Sequence, residues 1–134
     1  MNNLSRNPYL LFWLSIPILM LIGFFDKQIM SVSIHADHYV FSKSDICFLI
    51  STFFGIIGLG YWVMKMFKRK LSSWLNWIHF GLTFFGLIII FLVSYIFYYD
   101  YFKYQDSIFM LSGLIMIIAQ LFYFLNIILA IFRK

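Results

Sequence analysis

Four stretches without a single Asp, Glu, Lys or Arg, at 9–25, 46–64, 71–99 and 107–132, constrain this chain more than any other feature. Crossing the hydrocarbon core of a bilayer takes about 20 helical residues, with a range of roughly 17–25, and each run is of that order or longer. A barrel strand needs only about ten residues and alternates in polarity, whereas these runs are continuously apolar, so length decides for helix. The expected helices cover about 9–25, 46–64, 72–98 and 107–131. Slack in the third and fourth allows tilt. Pro17 removes one backbone donor from the first and is expected to kink it, with Ser15 or a neighbouring helix accommodating the defect. Arg6 precedes that run, as in a signal peptide, but the following GFFDKQ has no small-x-small cleavage pattern, so the segment is expected to remain as a helix.

With 63% hydrophobic and only 11% charged residues in 134, the chain cannot cover a water-soluble globule with polar side chains. Its charges sort by segment instead. Arg6, then Lys65, Lys68, Arg69 and Lys70 between the second and third runs, then Arg133 and Lys134 form wholly basic connections. The other two connections mix Lys27, Lys43 and Lys103 with all five carboxylates, Asp26, Asp37, Asp45, Asp100 and Asp106. The positive-inside rule therefore predicts cytoplasmic N and C termini and outward loops at 26–45 and 100–106. Tyr9, Trp13, Trp62, Trp74, Trp77 and the aromatic run 95–104 lie near the expected helix ends, where amphipathic rings settle at headgroup depth. The expected fold is an all-α, single-domain integral membrane four-helix bundle over 1–134, in a bacterial cytoplasmic (inner) membrane. Net charge +5 then reads as a topology signal and an attraction to anionic membrane lipid, with no nucleic acid partner.

The stretch 33–49, SIHADHYVFSKSDICFL, packs His35, Asp37 and His38 before the second run. Alternation from Ser31 to Asp37 suggests a short extended segment on the membrane surface. Its functional reading, which comes from the family resemblance given below, is a divalent cation or water site on His35 and Asp37; its plainer reading is a hydrogen-bonded outer loop, and the loop is favoured. His79, a few residues into the third run, is ionisable where charge is expensive. It is expected to remain neutral and structural, reaching the interface or a neighbouring carbonyl. Ser51, Gly55 and Gly58 share one face of the second helix. Ser112, Ala119, Tyr123, Asn126 and Ala130 form a small-and-polar stripe on the fourth. Both stripes need a packing partner, within the chain or in another protein, the former being favoured. Cys47 reads as apolar filler, and the chain has no nucleophile-base pair, phosphate-cradling glycine loop or carboxylate dyad.

Segment 26–91 resembles the late helices of subunit I of the haem-copper (cytochrome c) oxidases. That family carries a pattern near His-Asp-Thr-Tyr-Tyr-Val-Val-Ala-His-Phe-His-Tyr-Val-Leu, a glycine-containing helix, an aromatic end, a basic turn and a helix opening with His-Phe. Here DHYVFSKSDICFL precedes GIIGLGYWVMKMFKRKLSSWLNWIHFGLTFFG. Asp37, Tyr39, Val40, Tyr61, Trp62, Lys65, Leu71, His79, Phe80, Leu82, Phe84 and Gly86 fall where the pattern expects such residues. The resemblance covers about half the chain and implies the same topology as the charges. It also implies lost chemistry. The family's haem-binding histidines fall at Ser44 and Ile46, its copper ligands lie on helices with no counterpart here, and its His-Asp metal pair is broken by Ala36. What the resemblance implies is a truncated, degenerate scaffold, not an enzyme, with no cofactor. The expected role is a noncatalytic accessory subunit among other membrane protein subunits, the respiratory type being the one indicated. The alternative is a stand-alone oligomeric carrier of small molecules or ions.

Overall fold

The computed structural model describes residues 7–26, 29–34, 37–96 and 105–132. Along the chain these form α1 (Pro8–Phe25), β1 (Ile29–Ile34), β2 (Asp37–Ser42), α2 (Lys43–Met66), α3 (Ser73–Ile96) and α4 (Gln105–Phe132). All four helices are long and apolar enough to cross a membrane, which fits a multi-pass membrane protein. α1 opens with Pro8 in its first turn, where a missing N–H costs nothing. Pro17 withdraws the donor that Trp13 would otherwise meet. Ser15 does not replace it, because its hydroxyl donates to Leu11 O at 2.7 Å.

The chain is not purely helical. β1 and β2 pair antiparallel, with Ile29 opposite Ser42 and Ile34 opposite Asp37. The two-residue polar alternation expected to give a surface loop instead folds on itself, since β-branched residues occur on both arms and aromatic ones on the second. Val32 is buried, while Tyr39 and Phe41, two apart on one face, stack at 6.3 Å between ring centroids. β1 touches α4 and β2 touches α2, so the hairpin lies at the end of the bundle where those helices begin.

α2 also begins three residues before its uncharged run. Ser42 is the N-cap, its Oγ accepting from Asp45 N at 3.1 Å and donating to Asp45 Oδ2 at 2.6 Å. This Ser-x-x-Asp arrangement satisfies one orphan donor of the first turn, Asp45 N, and draws Lys43 into the helix.

Contacts fix the helix directions. Lys43 meets Asp26 at one end of the α1–α2 pair and Lys65 meets Asn7 at the other, so these helices are antiparallel. Ser72 with Asn126 and His79 with Gln120 show the same for α3 and α4. Between the two pairs lies an aromatic layer. Phe12 is its hub, touching Phe54 and Tyr61 of α2 and His79, Phe80 and Phe84 of α3, with centroid separations of 5.2–6.2 Å. Close approach rests on absent side chains. A Cβ at Gly58 would strike Trp13, and one at Gly60 would strike the hydroxyl of Tyr123.

Candidate functional site

Uncharged polar side chains inside long apolar helices must find partners, because hydrocarbon offers none. The largest such group joins three helices. Tyr61 of α2 lies 2.9 Å from His79 Nδ1 of α3, and His79 Nε2 lies 3.3 Å from Gln120 Oε1 of α4. The proton positions follow from the far end. Gln120 Nε2 donates to Met116 O at 2.9 Å, so the amide oxygen faces the imidazole and can only accept. His79 Nε2 therefore carries the hydrogen, and because full burial disfavours a second, charged proton, Nδ1 offers its lone pair and Tyr61 donates to it. The imidazole is neutral with both nitrogens used, and the residue is fully buried, with the rings of Phe12 at 5.2 Å and Tyr123 at 5.3 Å. His79 does not reach the interface as its position in the chain suggested; α4 closes over it and supplies Gln120.

A second cluster ties α4 to the start of α3. Asn126 Oδ1 accepts from Ser72 N at 2.8 Å, and Asn126 Nδ2 donates to Asn76 Oδ1 at 2.7 Å and to Ser72 O at 3.2 Å. One side chain thereby satisfies the Ser72 N–H, an orphan donor at the start of α3, and gives the Ser72 carbonyl a second donor beside Asn76 N at 3.1 Å. Among the described residues, Ser51 Oγ, Asn76 Nδ2 and Thr83 Oγ1 are buried with no hydrogen-bond partner.

At the opposite end Lys43 Nζ meets Asp26 Oδ2 at 2.7 Å, and Lys43 is only 3% exposed. Each charge sits at the unfavourable end of its own helix. Asp26 caps the C-terminus of α1, and Lys43 occupies the first turn of α2. Their mutual attraction offsets both penalties and locks the two helix ends together. The pair closes one end of a 510 Å³ crevice whose walls are Ile18 and Ile22 of α1 and Leu87 and Phe91 of α3.

The residues singled out from the sequence are placed as follows. His35 lies outside the described residues. Asp37 is exposed at the start of β2, opposite Ile34. Among the described residues no three His, Cys, Asp or Glu side chains converge as metal ligands. Gly55 and Gly58 face Ile16 and Trp13 of α1, and Ser51 is buried. Ser112 is buried and donates to Phe109 O at 2.6 Å, with its own carbonyl against Gly86 of α3; Ala119 and Asn126 are buried too. Cys47 is buried where α2 passes Gly23. Sequence reasoning missed Gln120, Asn76 and the Asp26–Lys43 pair. Gln120 carried a signal, being, with Asn126, one of two amides in a 26-residue uncharged run.

Comparison of the chain with models of known families, with curated proteins and with solved structures gave no match.

Proposed function

We propose that this chain is a noncatalytic accessory subunit of a larger complex in the bacterial cytoplasmic membrane, with both termini on the cytoplasmic side. One observation carries the reading. The polar side chains that reach between helices meet one another, Tyr61 with His79, His79 with Gln120 and Asn126 with Asn76, instead of lining a passage. The described carboxylates all lie at helix ends or in the hairpin, so none is placed to carry a proton at mid-helix. Outward faces are apolar, with Leu14, Ile18, Leu21 and Phe24 of α1 exposed, which suits lipid or another subunit's helices. The oxidase-like pattern over 26–91 points to a respiratory complex. His79 supports a role without haem, because both ring nitrogens are engaged and neither lone pair is left for iron.

The stand-alone carrier is the second reading, favoured by the α1–α3 crevice with its ion pair at one end. Solubilisation from the native membrane in a mild detergent, followed by mass measurement of the intact particle, separates the two. The subunit reading expects the 16.1 kDa chain in fixed stoichiometry with at least one different polypeptide. A monodisperse particle built of this chain alone contradicts it.

A further inference from the structure

We propose that the concavity beneath the basic turn between α2 and α3 binds the phosphate headgroup of an anionic phospholipid. This holds whether the chain is a subunit or a carrier, since it rests only on the helices lying in a membrane. The turn encloses 390 Å³, lined by the four cations Lys65, Lys68, Arg69 and Lys70. Liquid water takes about 30 Å³ per molecule, so the space is that of roughly a dozen waters, enough for a phosphate and part of its glycerol. Its floor is Tyr61, and its apolar wall is Pro8 and Leu71. Basic pockets between transmembrane helices are where lipid phosphates are recognised.

Three features make this more than a run of surface lysines. Lys65 is held by neutral groups, its Nζ donating to Asn7 Oδ1 at 2.7 Å and Tyr9 Oη at 3.0 Å and lying 5.0 Å from the centre of the Tyr9 ring. Those contacts orient the ammonium without cancelling its charge. Second, Ser73 lines the same space and opens α3, so the positive end of that helix adds to the field.

Third, Lys68 has φ 52°, the left-handed region, alone among the described non-glycine residues. The hydrogen bonds define the motif. Lys68 N donates to Lys65 O at 2.9 Å and Arg69 N to Met64 O at 3.0 Å, the paired closure at a helix C-terminus in which the left-handed position is usually glycine. A lysine there bears a backbone strain that a glycine would not have. A cation on the lip of an anion-sized concavity accounts for that choice.

The strain supplies a test in which folding and binding move in opposite directions. Full-length protein in a mild neutral detergent is given equal amounts of phosphatidylglycerol and phosphatidylcholine, and retained lipid is read by native mass spectrometry. The wild type is expected to retain phosphatidylglycerol preferentially. Lys68→Gly is expected to raise the thermal midpoint while weakening phosphatidylglycerol retention about fivefold, the effect of one cation near an anionic surface. Lys70→Gln should weaken it similarly, and Lys68→Arg should keep it. Equal retention of the two lipids overturns the proposal, as does a preference that survives Lys68→Gly and Lys70→Gln together. Complete displacement of the lipid by millimolar inorganic phosphate would assign the site to a free anion and overturn it as well.

Discussion

At the scale of the residue, His79 shows how an ionisable group is kept inside an apolar bundle without charge. Tyr61 donates to one ring nitrogen and Gln120 accepts from the other, so the neutral imidazole has no unmet polar atom. Removing it leaves a cavity and two unpaired partners. His79→Ala is expected to destabilise the protein by about 2–3 kcal/mol, most of it from the cavity and the orphaned Tyr61 and Gln120. Tyr61→Phe deletes one hydrogen bond at constant packing and should cost only about 0.6–1 kcal/mol, the usual range for such bonds between membrane helices. Thermal unfolding in detergent measures both. Equal losses would mean that the hydroxyl, not the imidazole, holds the helices together. Neither the wild type nor either variant is expected to show a Soret band, and a wild-type haem absorbance lost in His79→Ala would contradict the noncatalytic reading.

Helices were legible wherever one physical constraint dominated. The need to span roughly 30 Å of hydrocarbon writes itself into the sequence as uncharged length, and α1 to α4 coincide with the four uncharged runs. Boundaries were less legible, because charge was taken to end a helix. At α2 the cap formed by Ser42 and Asp45 outweighs that rule, and Lys43 enters the helix because Asp26 awaits it. The hairpin was half legible: alternation in Ser31–Asp37 announced an extended segment, but not the antiparallel pairing of 29–34 with 37–42. The stripe of Ser51, Gly55 and Gly58 marked a close-packed face without naming α1 as the helix that fills it. Gly60 was not singled out, though a side chain there would meet Tyr123 of α4. Gly60→Ala is therefore expected to destabilise by about 1–3 kcal/mol through overpacking. Tyr123→Phe, by removing the hydroxyl in the way, should recover part of that loss in the double variant. Strictly additive effects in a double-mutant cycle would show that the two residues do not touch.

For the whole molecule, the described carboxylates gather at one end and the wholly basic turn lies at the other. Asp26, Asp37, Asp45 and Asp106 lie with the hairpin and the start of α4, whereas Lys65, Lys68, Arg69 and Lys70 form the turn at the opposite end. The antiparallel helix order makes this a property of the fold as well as of the sequence. The proposed orientation and subunit role build on one claim, that the helices cross a bilayer with the basic turn in the cytoplasm, and the lipid site needs only the first half of it. Cysteine accessibility in intact cells tests it directly. Single cysteines at positions 33, 68 and 104 are exposed to a membrane-impermeant maleimide, with Cys47 replaced by alanine. The predicted result is labelling of Ser33→Cys and Tyr104→Cys from outside, and of Lys68→Cys only after the membrane is opened. Labelling of Lys68→Cys in intact cells, with the other two protected, would contradict the account.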